Sequence, residues 1–215
     1  MIKRIATWSL LAALLIPVLT FAQARAATGE PVPGVDYEEI PQAQPFEPLN
    51  GKVEVVEIFA YSCHFCAQFQ PIVDQWKRKL PSDVRFTYVP ANYGDDPFAR
   101  AFYAAQANKA LFARTHDAVF KAVNTDITLP RNASVDEIAA FYSAYGVTAP
   151  AFAAAMQTPA IDAKLQRARD YAVAVGLQGT PTLVVNGKYR VLGNSYQDML
   201  RIADQLIAKE RSARR

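Results

Sequence analysis

Val53-Glu54-Val55-Val56-Glu57-Ile58-Phe59-Ala60, followed at once by Tyr61-Ser62-Cys63-His64-Phe65-Cys66, is the stretch that decides the fold. The first eight residues are a near-continuous β-branched run, the pattern of a central strand buried on both faces. A helix is expected to start at Cys63 or His64. Phe65, Phe69, Ile72, Val73, Trp76 and Leu80 then form one apolar stripe at helical spacing. Pro71 lies inside that stripe, frees the Ala67 carbonyl and should kink the helix. Pro81-Ser82-Asp83 ends it, and Val84-Arg85-Phe86-Thr87-Tyr88-Val89 reads as a second strand. Strand, helix and strand make one right-handed βαβ unit.

Downstream of that unit the pattern is helical for about eighty residues. Asp96-Pro97 caps a helix expected to run to roughly Phe112, and His116–Val123 suggests a short one. Ser134-Val135-Asp136-Glu137 is a capping box before Ile138, Phe141 and Tyr142, stopped by Gly146. Ile161, Leu165, Ala168, Ala172 and Val175 form another stripe, ended by Gly176. Strand chemistry then returns as Thr182–Val185, an Asn186-Gly187 turn and Lys188–Val191, a hairpin of the type I′ kind. Ser195 caps a last helix carrying Met199, Ile202, Ala203, Leu206 and Ile207. The charged tail from Lys209 to Arg215 is expected to fray.

Upstream, residues 27–52 are rich in proline and read as an irregular arm with one short edge strand near Tyr37–Ile40. Before them stand Met1-Ile2-Lys3-Arg4, an apolar run from Ile5 to Phe21, and Ala22-Gln23-Ala24-Arg25-Ala26. These are the three parts of a secretory signal peptide. Cleavage after Ala26 is preferred, with Ala24 as the alternative. The run falls short of the roughly 20 apolar residues that a spanning anchor needs. No cysteine follows it, which excludes a lipid-modified start. The expected layout is a signal peptide at 1–26, a first domain at 27–92 and 177–211, a helical insertion at 93–176 and a tail at 212–215.

The leader changes the charge arithmetic. The 215 residues carry 23 basic and 20 acidic side chains, a net charge of +3. Without Lys3, Arg4 and Arg25 the 23 become 20 and the net charge is zero, so nucleic acid loses its support as a partner. With 51% hydrophobic and 20% charged residues, the chain is neither disordered nor collagen-like. Two neighbouring cysteines do not make a disulfide-rich miniprotein either.

In an oxidising compartment a lone Cys-x-x-Cys pair reads as a redox pair. Cys63 and Cys66 share one helix face at the positive end of the helix, where a thiolate is favoured over a thiol. Cys63 is the candidate nucleophile and Cys66 the resolving thiol. A structural disulfide closing so short a loop would restrain the unfolded chain weakly. His64 can add positive charge near Cys63 or donate to its sulfur. Phe65 is either a docking surface for substrate or the first residue of the core stripe. Glu57, six residues before Cys63, lies in a buried strand. It is either a carboxyl of raised pKa that could take the Cys66 proton or a residue facing a polar edge. Thr180-Pro181 opens the hairpin, where proline fits only at an edge or bend.

Together these residues resemble the thioredoxin superfamily, and within it the exported DsbA-type thiol:disulfide oxidases. The similarity runs from about Tyr37 to Ile207. It is carried by Cys63-His64-Phe65-Cys66, by Glu57, by Phe69 in Cys66-Ala67-Gln68-Phe69, and by Val185-Asn186-Gly187-Lys188-Tyr189 after the proline. It implies an α/β thioredoxin fold with an inserted all-helical domain. It also implies a cis Pro181 beside the disulfide, Thr180 contacting Cys63 and substrate backbone, and Glu57 as the buried acid under Cys66. The implied activity is donation of the Cys63–Cys66 disulfide to reduced, unfolded exported proteins in the periplasm. A DsbB-type membrane quinone reductase would reoxidise the pair. Neither cofactor nor metal is implied, and a monomer is expected, since residues 27–52 are too short for the dimerisation domain of an isomerase. A reductase or isomerase, or a thiolate metal chaperone, are the competing readings. The usual dipeptide between the cysteines is Pro-His; here it is His64-Phe65, a departure that bears on oxidising strength and not on reaction type.

Overall fold

A computed structural model describes residues 30–214 apart from 43 and 93. The segment expected to be a signal peptide, 1–26, lies outside the described residues. These form strands β1 (Tyr37–Glu39), β2 (Val53–Phe59), β3 (Val84–Pro90), β4 (Thr182–Val185) and β5 (Tyr189–Val191). The helices are α1 (His64–Lys77), α2 (Pro97–Gln106), α3 (Lys109–Asn124), α4 (Val135–Ser143), α5 (Ala149–Met156), α6 (Pro159–Ala174) and α7 (Tyr196–Ser212). The sheet order is β1-β5-β4-β2-β3, with β2 and β3 parallel and the other neighbours antiparallel. This is the mixed sheet of a thioredoxin fold, with α2 to α6 inserted between β3 and β4.

Every residue of β2 is buried, as its composition demands. Val53 and Val55 join Leu183 and Val185 under Phe69 and Val73 of α1 and Ile202 and Leu206 of α7. Val56, Ile58 and Val184 belong to the larger core shared with the inserted helices. Two carboxylates are buried in β2, and their surroundings differ. Glu54 receives Arg85 at 2.9 Å, the Thr87 hydroxyl at 3.1 Å and the Glu47 backbone N–H, so its charge is fully paired. Glu57 has no hydrogen-bond partner on either oxygen among the described residues.

The Asn-Gly turn takes the expected form: Asn186 and Gly187 have φ of 52° and 68°. A Cβ at Gly187 would come within 2.2 Å of the Gln44 carbonyl oxygen, so glycine is required twice over. Three expectations need correction. The helix from Pro97 does not run to Phe112, because the Asn108 side chain accepts the N–H groups of Ala110 and Leu111 and starts α3. The short helix expected at His116–Val123 is the second half of α3. Helix α5 gave no sequence signal, since an alanine-rich segment has no polar face to set a period. Only its Phe152 and Met156 are buried, with Phe152 stacked on Tyr142 at 3.9 Å. The tail does not fray either. Helix α7 continues to Ser212, Arg211 pairs with Asp83 at 2.7 Å, and Arg214 donates to the Gly51 and Lys52 carbonyls.

His116 of α3 is buried among Phe59, Phe112, Phe120 and Tyr88, with Nδ1 2.8 Å from the Tyr61 hydroxyl and Nε2 without a partner among the described residues. Burial, with Lys77 acting in the same direction, lowers its pKa to about 3. The unfolded chain therefore binds a proton below about 6.5 that the native state refuses. Stability should fall by about 1.4 kcal/mol per pH unit from 6.5 towards 3 from this group alone. Urea unfolding of His116→Phe between pH 7 and pH 4 is expected to lose one proton's worth of that slope.

Candidate active site

Strand β2 ends in a tight turn closed by the Cys63 N–H on the Ala60 carbonyl at 3.1 Å. The turn delivers Cys63 as the N-cap of α1, in extended conformation, and its sulfur accepts the Cys66 N–H at 3.4 Å. Both cysteines are free thiols, so the structure is that of the dithiol state. Cys63 is half-buried and Cys66 fully buried.

That difference separates the two sulfurs chemically. Hydrogen bonds from the Cys66 thiol, and from the backbone N–H groups of Cys66 and Phe65, lower the Cys63 pKa to about 5, against the partial burial of the sulfur. Burial pushes the Cys66 thiol far above the ordinary thiol range, and its hydrogen bond to Cys63 pushes the same way. At neutral pH the first sulfur is a thiolate and the second holds its proton. On the far side of Cys63, the Thr180 carbonyl lies 3.2 Å from Sγ. The Thr180-Pro181 peptide is cis.

Glu57 faces β3 opposite Tyr88 and β4 opposite Leu183. Burial raises its pKa to about 8; Lys77 opposes that shift and the Cys63 charge adds to it. Lys77 and Tyr88, both coupled electrostatically to Glu57, belong to a chain of polar side chains. Lys77 Nζ donates to the Tyr88 hydroxyl at 3.1 Å, Tyr88 donates to Gln70 Oε1 at 3.2 Å, and Gln70 Nε2 donates to Asp117 at 2.9 Å. Lys77 also pairs with Asp74 at 2.9 Å.

His64 and Phe65 stand at the solvent edge of this arrangement. The hydrogen bond of the His64 ring runs from Nε2 to the Gln68 amide at 2.8 Å, along the helix. Phe65 is 62% exposed, so its side chain lies outside the core stripe that begins in earnest at Phe69. The Phe65 carbonyl is held at 3.0 Å by the hydroxyl of Tyr196, the first residue of α7.

This geometry can be set beside known proteins. The family model of the DSBA-like thioredoxin domain matches residues 91–203, a span beginning after β3 and excluding both cysteines. The match is thus independent of the Cys-x-x-Cys motif. The thiol:disulfide interchange protein DsbA of Azotobacter vinelandii is 36% identical over 185 residues, which is 84% of this chain and 85% of that one. The chain belongs to the DsbA family. Its counterpart from Pseudomonas aeruginosa is 35% identical over 189 residues, covering 84% and 86% of the two chains. Among solved structures, the DsbA oxidoreductase of Xylella fastidiosa superposes with a TM-score of 0.82 at 46% identity, over 85% of this chain and 98% of that one. Pseudomonas aeruginosa DsbA superposes with a TM-score of 0.76 at 34% identity, over 84% and 94%.

Within this DsbA-family site, sequence reasoning missed Gln70, Lys77, Tyr88 and Tyr196. A signal existed for three of them. Cys66, Gln70, Val73 and Lys77 follow one another at intervals of 4, 3 and 4 on a single face of α1. Tyr88 follows from pairing β2 with β3 in register, which puts it beside Glu57.

Proposed function

We propose that this DsbA-family chain is an exported thiol:disulfide oxidase in which Cys63 is the attacked sulfur and Cys66 the leaving thiolate. A substrate thiolate attacks Sγ of Cys63 in the oxidised pair. The Cys63–Cys66 bond breaks, its electron pair leaves with Cys66, and the Cys66 thiolate takes up a proton from Glu57. A second substrate thiolate then attacks the substrate sulfur of the mixed disulfide, and Cys63 departs as the thiolate that its surroundings favour. Two electrons have passed to the pair, and two substrate thiols have become a disulfide. Reoxidation runs the steps backwards against the disulfide of a DsbB-type membrane quinone reductase, with Glu57 now receiving the Cys66 proton.

The asymmetry of the two thiols is the observation that carries this reading. A disulfide accepts two electrons readily when the dithiol it forms is stabilised, and a thiolate at pKa about 5 is such a stabilisation. Thr180 and the cis Pro181 flank Cys63 and offer backbone to an extended substrate, with the exposed Phe65 as an apolar rim. His64 adds a polar group at the same edge. The signal peptide at 1–26 takes the chain to the periplasm, where reduced, unfolded exported proteins are its substrates, and it acts there as a monomer.

The test is the redox equilibrium with glutathione, together with denaturant unfolding of both redox forms. The dithiol form is expected to be the more stable one. Its advantage should grow as pH rises from 5 to 9, because the folded Cys63 is already ionised where an unfolded thiol is still protonated. A disulfide form of greater stability would overturn the oxidase and leave a reductase or a structural bridge.

A further inference from the structure

The turn that presents Cys63 is held only in part by α1, through the Cys66 N–H on the Cys63 sulfur and the Ala67 N–H on the Cys63 carbonyl. Ala60 and Cys63 close it, and the carbonyls of its two central residues, Tyr61 and Ser62, have no partner inside it. Both go to the inserted helical block. Asn124, the last residue of α3, donates Nδ2 to the Tyr61 carbonyl at 2.8 Å and to the Phe120 carbonyl at 3.1 Å. Arg131, in the loop between α3 and α4, donates Nη1 to the Ser62 carbonyl at 2.7 Å and Nη2 to Asn124 Oδ1 at 3.2 Å. The Tyr61 hydroxyl is paired with His116 of the same helix.

The loop carrying Arg131 is itself pinned. The N–H groups of Thr128 and Leu129 both reach the Ala122 carbonyl, the Ala133 N–H reaches Pro130, and Leu129 and Ala133 are buried. Ile127 sits at φ 52°, a costly conformation for a β-branched residue, at the point where the loop doubles back. A guanidinium presented this way bridges two acceptors at fixed separation, which the single ammonium of lysine does not do.

We propose that Arg131 and Asn124 are positioning residues for the nucleophilic sulfur: from the helical block they fix the two free carbonyls of the turn that aims Cys63 at the start of α1 and at Thr180. The inference rests on the redox reading of Cys63 given above. It assigns the insertion a part in the chemistry, since the sulfur meets the N–H groups of Phe65 and Cys66 only while the turn holds its shape.

The experiment is the pH dependence of alkylation of the reduced protein by iodoacetamide, with the glutathione equilibrium, for wild type, Arg131→Ala, Asn124→Ala and Arg131→Lys. Thermal unfolding is followed alongside. In Arg131→Ala and Asn124→Ala the alkylation midpoint is expected to rise by about one pH unit, a roughly tenfold loss of thiolate in the acid range. The glutathione equilibrium should move towards the disulfide, and Arg131→Lys should resemble Arg131→Ala. Unchanged midpoints in both alanine variants, with or without a lower melting temperature, would overturn the proposal. So would a wild-type midpoint in Arg131→Lys, which would make charge and not the bracket responsible. An ordinary thiol midpoint in the wild type would instead defeat the redox reading itself.

Discussion

Cys63→Ser is expected to abolish thiol capture altogether, while Cys66→Ser keeps the first chemical step and loses the second. The remaining sulfur in Cys63→Ser is buried, with its proton held far above the ordinary range, so no nucleophile faces solvent. In Cys66→Ser the Cys63 thiolate attacks an added disulfide, one half of which departs as thiolate. The mixed disulfide then accumulates, because no second thiol resolves it. With its pKa at about 5, against 9.0 for an ordinary thiol, Cys63 is almost fully ionised at pH 7. An ordinary thiol is about one per cent ionised there, so capture should run about a hundredfold ahead of it in thiolate supply. Mass spectrometry of the trapped adduct across pH checks this. Cys66→Ala adds a sharper comparison, since serine retains a hydrogen-bond donor to Cys63 and alanine does not. The capture midpoint should be higher in the alanine variant. Equal midpoints would mean that the Cys66 thiol does not hold the Cys63 charge.

Glu57→Gln is expected to change two measurements in opposite senses. The folded carboxyl titrates near 8 where an unfolded one titrates near 4.5, so between those values the native state holds a proton that the unfolded chain has lost. That contribution is complete below 4.5 and is lost as pH rises through 8, up to about 5 kcal/mol in all. Glutamine removes the titration, so the variant should be the more stable protein above pH 8. Ring closure of the pair should be slower by about 10²-fold near neutral pH, because Cys66 must shed its proton and, on the proposed mechanism, Glu57 is the group that takes it. The wild-type closure rate should rise with pH to a plateau near 8, and the glutamine variant should show no such inflection. Lys77→Met should move the wild-type inflection upward, since Lys77 favours the charged carboxylate. Identical closure profiles for wild type and Glu57→Gln would remove the carboxyl from the proton path.

What could be read beforehand divides along physical lines. The β-branched run of β2, the Asn186-Gly187 turn, the Ser134–Glu137 capping box and the Ser195 cap are local patterns, and each is found where its chemistry puts it. Cys63 and Cys66 were legible for the same reason, being three residues apart at a strand-to-helix junction. The cis Thr180-Pro181 peptide came from family resemblance, because spacing alone left several bends open. The remaining features depend on residues that meet only after folding. Asn108 splits a continuous alanine-rich pattern by out-competing one turn of helix, and α5 is apolar on all sides. Arg131 reaches Ser62 across 69 residues, and Arg214 reaches Gly51 across 163. Gln70 and Lys77 flank the apolar stripe of α1 beside Val73, and polar residues at the edge of a stripe carry no local mark that distinguishes them from a solvated face.

The fastening of the tail has a practical consequence for handling this protein. Arg214 grips the backbone just ahead of β2, and Cys63 stands just beyond the other end of that strand. Seven residues of extended chain at about 3.3 Å each put well over 20 Å of sheet between the two. A tag, a fluorophore or an electrode surface joined after Arg214 would therefore leave the reactive sulfur pointing away from its support, free to meet a protein arriving from solution.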